Sequence, residues 1–166
     1  MDVILVRHAE AGERDPILYP DDDLRPVTPD GKRKMAQVAR LMLRMGLGFD
    51  HLISSPLVRA LQTAEILKDA FEFSGEIQTS ATLGHDCTPA GVTRLLGNYP
   101  PEALIALVGH EPDLSTAAAA MIGADRANIE LKKGGSIGIG FKEGAHLGKG
   151  TQLYHLRPGQ LRKLRK

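Results

Sequence analysis

One cysteine, Cys87, and no tryptophan stand among 166 residues. A lone thiol closes no intrachain disulfide, and without a partner thiol or a His/Cys cluster at ligand spacing no metal site is expected. Cys87 reads instead as a partly buried small apolar residue. Aromatic residues make up 4% of the chain and its formal net charge is +1. Few platforms therefore exist for stacking unpaired bases, and no strong field steers the protein toward nucleic acid. No window approaches the roughly 18 apolar residues of a membrane span. Met1-Asp2-Val3-Ile4-Leu5-Val6 offers no basic or cleavable leader segment. Neither a nucleic-acid nor a membrane partner is expected, and the chain reads as cytoplasmic.

What is present suits one soluble domain over residues 1–166, with 42% hydrophobic and 25% charged residues. Val3 to Val6 is a short unbroken apolar run, the pattern of a strand covered on both faces. A polar stretch from Ala11 to Val27 follows, long for a loop and carrying the acidic run Asp21-Asp22-Asp23. Thr28-Pro29 predicts a helix start, with Met35, Val38, Ala39, Met42 and Met45 at helical spacing and Gly46 as the stop. Phe49 to Ser54 predicts a second strand and Leu57 to Phe71 a second helix with Leu57, Leu61, Ala64 and Leu67 inward. Glu76 to Thr79 reads as a short edge strand, and Thr88-Pro89 as the start of a third helix. Ala103 to Val108 is the most apolar strand, and Pro112 to Met121 an alanine-rich helix. Ser136 to Phe141 and Thr151 to Leu156 then pair across a glycine-rich turn. Strands alternating with helices, closed by a hairpin, predict an α/β three-layer sandwich: a mostly parallel sheet, helices on both faces and a C-terminal antiparallel hairpin. The tail from Arg157, with five basic residues and no acid, reads as a solvated, frayed end.

In open α/β sheets ligands bind beyond the carboxyl ends of the strands. Three polar landmarks fall there. Arg7-His8 follows the first strand, Ser54-Ser55 with nearby Arg59 follows the second, and His110 follows the most apolar one. Arg59 lies on the first turn of its helix, where side chain and helix N-terminus could both face an anion. Guanidinium forks match phosphate oxygens, and a neutral imidazole, with an unperturbed pKa of about 6.5, can act as a nucleophile near pH 7.

The segment Leu5-Val6-Arg7-His8-Ala9-Glu10-Ala11 resembles the Arg-His-Gly signature of the histidine phosphatase superfamily, the phosphoglycerate mutase-like proteins. Ser54-Ser55-Pro56-Leu57-Val58-Arg59-Ala60-Leu61-Gln62-Thr63-Ala64 is similar to its second motif, and Val108-Gly109-His110-Glu111-Pro112 to its third. Arg25-Pro26-Val27-Thr28-Pro29-Asp30-Gly31 matches the short motif before the first helix. Glu130-Leu131-Lys132-Lys133-Gly134 resembles a late segment of the SixA-type phosphohistidine phosphatases. The resemblance implies that His8 is the nucleophile, that Arg7, Arg59 and His110 bind the phosphoryl oxygens, and that neither metal nor cofactor is needed. Ala9 stands where the superfamily usually has glycine, as it does in SixA-like members.

Larger members place an acidic residue in an insertion between the second and third motifs, but only 50 residues separate Arg59 from His110. Asp86 and Glu10 are the local candidates for a general acid. A phosphorylated imidazole needs less protonation on leaving than an alkoxide does. The short chain thus favours phosphohistidine as substrate, on a histidine phosphotransfer domain of a signalling relay, with Asp21 to Asp23 at the mouth touching the partner. A small phosphorylated metabolite is the alternative substrate, and a non-catalytic phosphate-binding module the alternative of another class. Gly144 to Gly150 is one residue short of a P-loop and lacks the Ser/Thr after its lysine. His51, His85, His146 and His155 are scattered and read as structural or exposed.

Overall fold

The computed structural model describes residues 1–124 and 128–163. Its sheet has six strands: β1 (Asp2–Arg7), β2 (His51–Ser54), β3 (Ile77–Thr79), β4 (Leu104–Gly109), β5 (Ser136–Gly140) and β6 (Thr151–Leu156). They run in the order β3-β2-β4-β1-β5-β6. The first four are parallel, while β5 returns antiparallel to β1 and β6 antiparallel to β5. Five helices complete the described chain: α1 (Pro29–Arg44), α2 (Val58–Ala70), α3 (Pro89–Leu96), α4 (Asp113–Met121) and α5 (Pro158–Lys163).

Two cores explain why Val3 to Val6 of β1 and Ile105 to Val108 of β4 are unbroken apolar runs. Val3 and Leu5 join Ile105 and Leu107 on one face, against Val92 and Leu96 of α3 and Leu114 and Met121 of α4. Ile4, Val6, Ala106 and Val108 join the other face, against Met35, Val38 and Met42 of α1 and Ala64 and Leu67 of α2. A strand buried on both sides cannot alternate apolar with polar. The expected three-layer α/β sandwich with its C-terminal hairpin is the observed one.

Local chemistry starts the helices where expected. The Thr28 hydroxyl accepts from the Gly31 amide, and the Thr88 hydroxyl from the Gly91 amide, each cap contributing about 1 kcal/mol. At Gly31 a Cβ would lie 2.2 Å from the Glu10 carbonyl, so only glycine lets α1 approach the turn after β1 this closely.

Three expectations need correction. Met45 follows the last residue of α1 and is 51% exposed, because Gly46, at φ +78°, ends the helix before another turn can carry that side chain inward. The second strand begins at His51, and Phe49 packs instead against the rings of Phe71 and Phe73. The basic tail is not wholly frayed: α5 buries Leu161 in the core beside α1. Residues 164–166 of that tail lie outside the described residues.

The registry places the site. Arg7 pairs with Gly109 and Ser54 with Val108, so β1, β4 and β2 end side by side. The residues that follow, His8, Ser55 and His110, emerge from one edge of the sheet.

Candidate active site

His8 is 7% exposed. Its Nδ1 lies 2.7 Å from the Ala9 carbonyl. A carbonyl only accepts, so Nδ1 carries the proton and Nε2 keeps its lone pair. Burial pushes the imidazole down to a pKa of about 4. The Ala9 hydrogen bond opposes that shift, and the charges of Arg59, Arg7 and Arg25 reinforce it. At neutral pH His8 is thus a neutral ring with a nucleophilic nitrogen among guanidinium groups.

His110 stacks tilted on His8, ring centroids 5.1 Å apart. Burial, and then the neighbouring His8, push it down to about 3. Its Nε2 lies 2.8 Å from the Ser55 hydroxyl, which also accepts, at 3.3 Å, from the Leu57 amide. Ser55 is fully buried, and Nε2 is the acceptor its hydroxyl proton finds. That polarity leaves the proton of His110 on Nδ1. Ser55→Ala is expected to release the tautomer and lower kcat by about 10- to 100-fold on all substrates, with little change in Tm. Wild-type turnover in this variant would remove Ser55 from the site.

Arg7 projects from the end of β1. Its Nη1 donates to the Leu131 carbonyl at 2.7 Å, while the Gly134 amide reaches the carbonyls of Arg7 and His8 at 3.1 Å. Gly134 holds φ +72°, a conformation that favours glycine. The segment Glu130 to Gly134 therefore braces Arg7. Arg59 sits in the first turn of α2 and is 6% exposed. The Thr63 hydroxyl, one turn on, donates to the Arg59 carbonyl at 2.7 Å and accepts from the Ala9 amide at 2.9 Å. Thr63 thereby fixes the turn after His8 against the helix that carries Arg59.

The loop from Ala11 to Val27 closes one side. Arg59 Nη1 donates to the Asp22 carbonyl at 2.8 Å and lies 3.4 Å from the Asp22 carboxylate. Arg25 grips the same carboxylate with Nε at 2.8 Å and Nη2 at 3.2 Å, which holds Asp22 below the usual carboxylate range. The acidic run does border the site, but its members are not equivalent. Asp22 anchors the loop to Arg59, Asp21 caps the short 3-10 turn Asp22–Leu24, and Asp23 meets His85.

Among the described residues, six buried side-chain polar atoms lack a partner. Three of them are Arg7 Nε, Arg59 Nε and His110 Nδ1. An unmet buried N–H costs about 1–3 kcal/mol. Arg7, Arg59 and His110 thus each bring an unmet donor to the group of residues at His8, the complement of an anion with several acceptor oxygens. A cleft of about 360 Å³ shares only Arg7 with these four residues and is lined further by Glu10, Lys34, Lys132 and Lys133.

The structure thus brings His8, Arg7, Arg59 and His110 together. Glu10 turns away, its carboxylate 3.0 Å from Lys34 Nζ, and Asp86 is exposed. Sequence reasoning named Ser55 only as a landmark and Asp22 only as one of an acidic run at the mouth, and gave Thr63 and Arg25 no role of their own. For Thr63 a signal existed, since it lies four residues past Arg59 on the same helix face. Cys87 is half-buried, and its thiol is pushed up to about 11 chiefly by that burial. No helix among the described residues is long and apolar enough to cross a membrane.

Residues 3–84 match the family model of the histidine phosphatase superfamily (branch 1). The chain belongs to that superfamily. An uncharacterized protein of Picosynechococcus is 35% identical over 142 residues, 84% of either chain. Among solved structures, this superfamily member shares the fold of the protein histidine phosphatase SixA complexed with tungstate. That match has a TM-score of 0.81 at 20% identity and covers 97% of this chain and 99% of that one. A phosphoserine phosphatase of Entamoeba histolytica also shares the fold, with a TM-score of 0.69 at 16% identity over 95% and 97% of the two chains.

Proposed function

We propose that this protein is a phosphatase that passes a phosphoryl group to His8 Nε2 and then to water. The observation that carries this reading is a neutral, buried His8 grouped with His110 and the charges of Arg59 and Arg7, three residues that each keep an unpartnered donor. In-line attack spreads charge over three equatorial oxygens, and fixed donors lower that barrier without reorganising. Arg7 and Arg59 supply the positive charge that a metal would bring elsewhere. Activity is accordingly expected to survive exhaustive chelation, and restoration by a divalent ion after its loss would overturn this mechanism.

For the substrate we infer phosphohistidine on a signalling phosphotransfer protein. The chain between Arg59 and His110 is used by α2, β3, a 3-10 turn, α3 and β4, and no inserted subdomain occupies that stretch. Ile17, Leu18 and Leu24, on the loop anchored to Arg59, are 91%, 67% and 61% exposed, the kind of apolar surface that a protein partner covers. A small phosphorylated metabolite is the second reading, supported by the basic cleft beside Arg7 and by the fold shared with a phosphoserine phosphatase. The deciding experiment compares kcat/KM on a phosphorylated histidine phosphotransfer domain with a panel of sugar and amino-acid phosphates. Preference for the panel by a hundredfold or more would replace the first reading with the second.

A further inference from the structure

The proposed phosphatase chemistry leaves one proton unassigned. When the leaving group is an alkoxide something must protonate it, and Glu10 is committed to Lys34. A different pair stands at the rim. His85 Nε2 lies 2.8 and 3.0 Å from the two carboxylate oxygens of Asp23.

Two separate contacts bring that pair to the site. Asp23 follows Asp22, whose carbonyl accepts from Arg59 Nη1 at 2.8 Å. On the other side, Gly84 precedes His85 and rests on Pro56 and Leu57, directly after Ser55. A Cβ on Gly84 would lie 3.8 Å from both side chains. The charge of His85 is felt at His110 and at Asp113. With its side chain 67% exposed, His85 faces the solvent side, through which a leaving group departs.

We propose that the His85–Asp23 pair shuttles the proton in both half-reactions, admitting phosphomonoesters with alkoxide leaving groups. The carboxylate holds the proton on Nε2 and leaves Nδ1 as the exchanging position. In the first half-reaction the His8 Nε2 lone pair forms the N–P bond. The P–O bond breaks, and the departing oxygen takes a proton from the Nδ1–H of protonated His85. In the second, neutral His85 Nδ1 accepts a proton from the water that attacks phosphorus. The N–P bond breaks, its electron pair returns to His8 Nε2, and phosphate leaves. The sum is ester plus water giving alcohol plus phosphate, with both histidines restored. Phosphohistidine depends less on this pair, because imidazole leaves more readily than an alkoxide.

The test uses the whole protein with p-nitrophenyl phosphate, whose phenolate leaves unaided, and glycerol 2-phosphate, whose alkoxide does not. Because kcat/KM stops at the first irreversible step, it isolates leaving-group protonation. His85→Asn is expected to lower kcat/KM on glycerol 2-phosphate by about 100-fold or more. The loss on p-nitrophenyl phosphate should be at least ten times smaller, with a burst of p-nitrophenolate as phosphorylated His8 accumulates. Asp23→Asn should follow the same pattern more weakly. Equal losses on the two esters would mark His85 as structural, and no loss on either would remove it from the reaction. Burial raises the carboxyl of Glu111, next to His110, and its Oε1 has no partner, so a leaving-group-dependent loss in Glu111→Gln but not in His85→Asn would overturn the proposal. So would a wild-type enzyme active on p-nitrophenyl phosphate and inert toward glycerol 2-phosphate, although the His8 phosphatase would stand. Wild-type inactivity on all phosphorylated substrates would instead defeat the phosphatase reading itself.

Discussion

His8→Ala is expected to lower turnover of every substrate by on the order of ten-thousandfold or more, as loss of a nucleophile does elsewhere, while the fold persists. The side chain lies at the edge of the sheet, outside both hydrophobic clusters, with one hydrogen bond to its neighbour's carbonyl. Rapid-quench labelling of wild type with a radioactive phosphoryl donor should trap an acid-labile, base-stable label that the variant lacks. Label on another residue, or normal turnover by the variant, would refute the mechanism. Acid titration adds a second readout. The folded-state value of about 4 lies below the ordinary 6.5, so as pH falls through 6.5 the unfolded chain binds a proton that the folded one refuses. His8 therefore subtracts stability progressively between pH 6.5 and 4. His8→Ala should flatten that part of the Tm–pH curve, with His110 still contributing a slope of the same sign.

What the sequence made legible follows from how far each signal reaches. β1 and β4 declare themselves because burial on both faces demands an unbroken apolar run. Helices α1 and α3 do so because Thr-Pro is a local start signal. Arg7, His8 and His110 were legible from their places after apolar strands, and Arg59 from its place in a first turn. The pairings that were not legible join partners far apart along the chain. Ser55 meets His110, Thr63 meets Ala9, Asp22 meets Arg59 and Asp23 meets His85. No local pattern encodes such pairings; the sheet order creates them by setting β2 and β1 on either side of β4. Helix α5 escaped for the opposite reason, since Leu161 among basic and polar residues makes too short an apolar stripe to read.

Arg59 is where the proposed catalysis and loop order meet, and its replacement is expected to have the next largest effect. One face of the guanidinium holds the Asp22 carbonyl through Nη1. Nε is buried without a partner and is the donor we propose for the substrate. Arg59→Ala removes a phosphoryl donor, a loss of about 100- to 1000-fold in kcat, and also frees the loop carrying Asp22 and Asp23. Arg59→Lys restores the charge but not the fork, because an ammonium on a flexible stem cannot bond the loop carbonyl and a phosphoryl oxygen in fixed geometry. The lysine variant should therefore recover less than a tenth of the lost activity. Loop order separates the two roles. Protease nicking between Ile17 and Leu24 should accelerate in Arg59→Ala, and the added inorganic phosphate that protects wild type should protect the variant poorly. A lysine variant with near wild-type kcat would show that charge alone suffices, and would refute the claim that the pocket reads phosphoryl oxygens through guanidinium geometry.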